Sequence, residues 1–135
     1  MGNWFGDELL ERTKELGPLC VGIDPHSSLL RAWGRDDDIT GVEFFSLRML
    51  EAVTGTAVAI KPQVAFFERF GSAGFRALEK LIAEARDANV LVIGDAKRGD
   101  IGSTNDGYAA AWLHPASSLC VDALTVSPYL GLDAM

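Results

Sequence analysis

The chain has 135 residues, 48% of them hydrophobic and 23% charged, which suits one domain with a sizeable core and argues against disorder. Its net charge of -7 argues against a nucleic-acid partner, because counterion release needs clustered Lys and Arg that it lacks. No apolar stretch reaches the roughly 18 residues of a membrane span; Lys61 and Asp95 cut the longest runs.

At the amino terminus, Met1-Gly2-Asn3-Trp4-Phe5-Gly6 has no basic region leading into an apolar run, so no secretion signal is expected. Gly6 stands where a myristoylation motif needs Ser or Thr. A cytoplasmic location follows as the expectation. Leu9, Leu10 and Leu16 predict an opening helix with one apolar side, stopped by Gly17-Pro18. Leu19 to Ile23 is a near-continuous apolar run ending at Asp24-Pro25, as expected of a strand buried on both faces. Phe44, Phe45, Leu47, Met49 and Leu50 predict a helix ending near Gly55, and Ala57 to Ile60 a strand ending at Lys61-Pro62. Phe75, Leu78, Leu81, Ile82 and Ala85 form a helical stripe with Glu79, Lys80, Glu84 and Arg86 outside it. A strand at Val90 to Ile93 ends at Asp95. A short helix from Tyr108 to Leu113 leads to a fourth strand, Ala123 to Val126, ending at Ser127-Pro128.

No linker or repeat interrupts this alternation, so residues 1–135 read as part of one α/β domain. The strand ends at Asp24, Lys61, Asp95 and Ser127 are spaced by 37, 34 and 32 residues, as βαβ units with a parallel sheet require. Two architectures fit: a small open doubly wound sheet, or part of a (β/α)8 barrel. A barrel averages about 250 residues, so four units would be about half of one. With no helix after the fourth strand, a truncated barrel is favoured.

The carboxyl ends of parallel strands line the site in such folds, and here they carry Asp24, Lys61, Asp95 and Lys97. If the ends align, Asp24, Lys61 and Asp95 form a row of alternating sign. Asp95 and Lys97 are two apart, on one face of an extended segment. Solvated loop charges are the plainer alternative for any one of them. In Gly94 to Thr104 three glycines permit close approach to a ligand, while Ser103 or Thr104 can cap the next helix, with Asp106 in its first turn. The tripeptide Arg98-Gly99-Asp100 matches a cell-adhesion motif by chance. His26 and His114 lack metal-ligand spacing, so no metal is expected. Trp4, Trp33 and Trp112 read as packing residues, Asp36-Asp37-Asp38 as a solvated turn, and Cys20 and Cys120 as small buried hydrophobes without a disulfide.

The pattern D-x-K-x-x-D-I-x-x-T, here Asp95, Lys97, Asp100, Ile101 and Thr104, resembles the orotidine 5′-phosphate decarboxylase family. Asp24 ending the first strand and Lys61 ending the second join it. Ile60-Lys61-Pro62-Gln63 and Val126-Ser127-Pro128-Tyr129 are similar to its longer bacterial branch. The resemblance implies the first four βα units of a (β/α)8 TIM barrel, with the phosphate-binding Gln loop and Arg beyond Met135. It implies cofactor-free decarboxylation of orotidine 5′-monophosphate to UMP in pyrimidine biosynthesis. Lys97 would stabilise the carbanion and protonate C6, with Asp95 near the substrate carboxylate and holding Lys97. Lys61 and Asp24 would bind ribose hydroxyls. Asp100 and Thr104 would reach the ribose of the neighbouring subunit's substrate in a homodimer with shared sites, and Ile101 would also bind substrate. Ser127 would contact the pyrimidine, although Ser before Pro is also an ordinary helix start. On its own, the 135-residue chain is expected to be inactive. The runner-up is a Mg²⁺-dependent sugar-phosphate decarboxylase or aldolase on the same barrel, where an acidic residue at the second strand helps hold the cation. Here that position is Lys61. A non-catalytic half-barrel is the reading from outside enzymes.

Overall fold

A computed structural model describes residues 4–134; Met1-Gly2-Asn3 and Met135 lie outside them. Apolar patterning sets the elements in order: α1 (Phe5–Leu16), β1 (Cys20–Ile23), α2 (Ser27–Ala32), α3 (Ile39–Val53), β2 (Ala59–Pro62), α4 (Ala65–Glu68), α5 (Gly71–Asp87), β3 (Leu91–Arg98), α6 (Gly102–Trp112) and β4 (Ala123–Val126). Two 3-10 turns, Pro128–Leu130 and Leu132–Ala134, follow. The four strands form one parallel sheet in the order β1-β2-β3-β4. The expected alternation is therefore observed, and β4 has its expected bounds.

Alternate strand positions divide the packing. Ile23, Ile60 and Val92 join Val42, Phe45, Leu78, Leu81 and Ile82 in the main core, between the sheet and α3 and α5. Ala59, Leu91 and Ile93 share a smaller cluster with Phe5 and Leu9 of α1. Where the chain departs from the expected pattern, the cause is local. β1 is not buried on both faces: among the described residues it pairs only with β2, which leaves Leu19 50% exposed and Cys20 exposed. Cys120 is half-buried, so neither cysteine is a core residue. α1 buries no residue fully and leaves Leu10 exposed, because only its Phe5 and Leu9 side meets the sheet. Trp112 is buried and Trp33 packs at a tilt against Phe45, ring centroids 4.8 Å apart, but Trp4 is 82% exposed and packs little.

Caps explain the remaining shifts. In the acidic triplet, Asp38 is the N-cap of α3, its Oδ1 accepting from Gly41 N at 2.8 Å, while Asp37 pairs with Arg69. Helix α6 begins at Gly102, ahead of the expected Tyr108, and its N-cap is Ile101 with no side-chain bond. Ser103 and Thr104 fall inside the first turn rather than capping it; the Ile101 N–H donates instead to Asp100 Oδ1 at 2.7 Å.

One close approach fixes the angle between α4 and α5. A Cβ at Gly74 would lie 1.7 Å from the Phe67 carbonyl oxygen, while Gly107 on α6 has nothing within 4 Å. Gly74→Ala is expected to cost about 1–3 kcal/mol in urea unfolding, and Gly107→Ala to gain up to about 1 kcal/mol. Equal midpoints for the two variants would show that the α4–α5 contact is not tight.

Candidate active site

Strand register determines which charges meet. Gly22 opposes Lys61 and Ile23 opposes Pro62 across β1 and β2; Ile60 opposes Val92, and Gln63 bridges Asp95 across β2 and β3. Lys61 therefore stands two residues short of the level of Asp24 and Asp95. The expected row is not formed by strand ends. The level itself runs Asp24, Gln63, Asp95, all on the same face of the sheet as Lys61. Both Lys61 and Asp95 lie inside strands rather than after them.

The long arm of Lys61 makes up the offset. Its Nζ donates to Asp95 Oδ2 at 2.7 Å, and Gln63 Nε2 donates to the same oxygen at 3.1 Å. On the other oxygen, Oδ1 accepts from Lys97 Nζ at 2.5 Å and from Thr125 Oγ1 at 3.0 Å. Four donors thus occupy a carboxylate that is only 7% exposed. Burial by itself raises the Asp95 pKa, but hydrogen bonds from Lys61, Lys97 and Thr125 and the Lys61 charge outweigh it and bring it to about 2. The hydrogen bond to Asp95 in turn raises the Lys61 pKa against desolvation, helped by the nearby Asp95 and Asp24 charges. For Cys20, an exposed residue whose thiol is partly desolvated, that desolvation raises the thiol pKa and the Lys61 charge opposes it. Asp24 contributes a buried Oδ1 with no hydrogen-bond partner among the described residues. The site pairs a fixed anion with two ammonium groups, one of which, Lys97, is open to solvent. Such an arrangement can hold developing negative charge and deliver a proton.

The other expected residues lie apart from this cluster within the chain. Asp100 is bound to Ile101 N–H, Ile101 is 63% exposed and Thr104 is exposed on α6. The Ser127 N–H donates to the Arg98 carbonyl at 2.7 Å, and Pro128 opens a 3-10 turn, so its helix-start role is present. His114 Nδ1 accepts from Ala116 N and His26 packs edge-on against Phe66. Among the described residues no three His, Cys, Asp or Glu side chains gather as metal ligands. Two cluster members were missed from the sequence. Gln63 stands in the run Ile60-Lys61-Pro62-Gln63, and Thr125 in an apolar strand. Gln63 had a signal in its spacing from Lys61; Thr125 had none.

The model of the orotidine 5′-phosphate decarboxylase / HUMPS family matches residues 17–135. The chain belongs to that family. It is 56% identical over 135 residues to an orotidine 5′-phosphate decarboxylase of Corynebacterium efficiens, covering 100% of this chain and 48% of that one. The Streptomyces coelicolor relative of the same name is 55% identical, with 97% and 47% covered. Among solved structures, a Streptomyces avermitilis chain assigned as an orotidine 5′-phosphate decarboxylase superposes with TM-score 0.94 at 57% identity, over 96% of this chain and 46% of that one. Leishmania donovani OMP decarboxylase gives 0.77 at 39%, over 98% and 47%. The chain spans about half the length of the curated relatives it matches. Its four parallel strands, alternating with helices, match about half of the TIM barrel of those relatives.

The Asp95 pKa gives a pH signature. Because it lies below the ordinary value of 3.8, the carboxylate stabilises the fold above about pH 4 and loses that contribution as pH falls through about 2. Asp95→Asn should cost up to about 2 kcal/mol at pH 6, measured by urea unfolding, and the gap to the wild type should close by pH 2. A gap that persists unchanged at pH 2 would mean that the ionised carboxylate is not the stabilising species.

Proposed function

We propose that this chain carries the charged catalytic centre of an enzyme that decarboxylates orotidine 5′-monophosphate to UMP and CO2, without a cofactor. The observation that carries the reading is the Lys61–Asp95–Lys97 cluster, in which two ammonium groups converge on one buried carboxylate. The bond from C6 of the pyrimidine to its carboxylate breaks and CO2 departs. The electron pair stays at C6, beside the Lys97 ammonium, which donates its proton there and is reprotonated from solvent. Asp95 fixes Lys97 and disfavours the adjacent substrate carboxylate. Lys61 and Asp24 take ribose hydroxyls, the buried Asp24 Oδ1 lacking a partner among the described residues. Ser127 contacts the pyrimidine. The 135 residues alone turn over negligibly, since the phosphate-binding residues are expected outside them and their binding energy also serves the transition state.

A Mg²⁺-dependent sugar-phosphate reaction is disfavoured by electrostatics, because both oxygens of Asp95 are engaged by ammonium groups that repel a cation. The substrate is a small molecule, and the acidic chain suits neither nucleic acid nor anionic membrane as a partner. No helix of the described residues is long and apolar enough to cross a membrane. A cytoplasmic location fits the free Cys20 and Cys120.

In the barrel-length enzyme, Lys97→Ala should lower turnover about a thousandfold or more, while wild-type activity survives EDTA. Orotidylate absorbance loss is the assay. A variant that keeps about a tenth of the rate removes Lys97 from proton donation, and a wild type silenced by EDTA restores the Mg²⁺ reading.

Asp100 and Thr104 act in the partner subunit's site of a homodimer. The support is that neither hydrogen-bonds to the Asp95 cluster among the described residues of its own chain, while Asp100 is partly exposed and Thr104 exposed on the first turn of α6. Mixing Lys97→Ala with Asp100→Ala dimers under subunit exchange should restore one working site per mixed dimer. Exchange shown by mass spectrometry with no regained activity would refute sharing.

A further inference from the structure

We propose that Thr125 is a positioning residue for this site, its single hydroxyl locking the Lys97 backbone and the Asp95 carboxylate into one rigid unit. The inference rests on the decarboxylase reading for its kinetic arm, but its geometry stands without it. β3 and β4 pair regularly up to Gly94 opposite Leu124, then resume at Arg98 opposite Val126. Three residues of β3, Asp95, Ala96 and Lys97, therefore face Thr125 alone. Such a bulge leaves backbone groups without ladder partners and re-aims a side chain. Lys97 lies within it at φ +51°, a left-handed conformation that a residue with a Cβ adopts only when its surroundings impose it.

Thr125 supplies the imposition. Its Oγ1 accepts from the Lys97 N–H at 3.0 Å and donates to Asp95 Oδ1 at 3.0 Å. The assignment of roles is unambiguous, since a backbone N–H only donates and an ionised carboxylate only accepts. Thr125 thus fills the amide orphaned by the bulge and spends its own proton on the carboxylate that also receives Lys97 Nζ. The Lys97 side chain is anchored at both ends: its ammonium by Asp95, its backbone by the hydroxyl that also holds Asp95. Gln63 and Lys61 reach only the other oxygen, so neither can replace this link.

The test compares Thr125→Val, which keeps the shape and removes the hydroxyl, with Thr125→Ser, which keeps the hydroxyl. In the barrel-length enzyme Thr125→Val should lower kcat about 10- to 100-fold with KM within about twofold, because Thr125 touches Lys97 and Asp95 rather than substrate. Thr125→Ser should restore most of kcat. In the 135-residue chain, NMR should show the Lys97 amide exchanging about tenfold faster in Thr125→Val, and the Asp95 carboxyl protonating at higher pH, with both reversed in Thr125→Ser. Should Thr125→Val not fold, the Thr125→Ser data decide: wild-type Lys97 exchange and Asp95 titration support the role, and valine-like looseness overturns it. Unchanged kcat, or unchanged Lys97 exchange and Asp95 titration in a folded Thr125→Val, overturns the proposal too. A wild-type enzyme that ignores orotidylate defeats the substrate reading, while the NMR arms still decide the role of Thr125.

Discussion

Burying a carboxylate is the constraint around which this half-barrel is arranged. An isolated charge withdrawn from water costs several kcal/mol, and is tolerated only when every lone pair finds a donor. Asp95 meets that condition with donors drawn from β2, β3, β4 and the residue just after β2. Because each comes from a different stretch of chain, the carboxylate is satisfied only when all three strands are in register. A slip of one residue would turn Lys61, Gln63 or Thr125 to the opposite face of the sheet. The polar cluster and the apolar core therefore specify the same register from opposite faces.

Register also explains why the charges occupy different depths. Lys61 starts two residues lower than Asp95 and compensates with four methylenes, whereas Lys97 starts two residues beyond it and folds back through the bulge. The two ammonium groups thus approach one carboxylate from below and from above. That geometry separates like charges while keeping both close to the anion. It also leaves their exposures unequal, with the Lys61 side chain at 37% and that of Lys97 at 60%. The more open lysine is the one with room for a reactant beside it.

Much of this was legible in the sequence, for identifiable reasons. Periodicity placed the α5 stripe and all four strands, because burial between sheet and helices demands near-continuous apolar runs. Spacing of two residues predicted Asp95 and Lys97 on one face of extended backbone; they do meet, but through a bulge in which Lys97 takes φ +51° rather than by extension alone. What escaped depended on pairing between strands. No local signal says that Lys61 lies inside β2, or that Thr125 is the single residue facing a three-residue bulge. Short elements escaped for another reason: α2 and α4 span six and four residues, too few to show a helical period. The excess burial expected of β1 came from reading its apolar run as central, when composition does not reveal which strand lies at an edge.

The centre of the sheet and its edges differ in how completely their polar groups are satisfied. Within the described residues the donors to Asp95 are complete, so the charge cluster needs nothing from elsewhere to hold its shape. The opposite is true of what surrounds it. Asp24 keeps a buried oxygen without a partner, Cys20 and Leu19 leave the β1 side open, and Tyr129 and Leu132 are exposed beyond β4. Both open flanks lie at the margins of the sheet, where a closed barrel would place further strands. The parts that must be rigid for chemistry are thus internal to these four strands, while the unsatisfied groups lie where a substrate or the rest of a barrel would meet them. This division is the physical reason that so much of the site's electrostatics can be derived from half of the family's length.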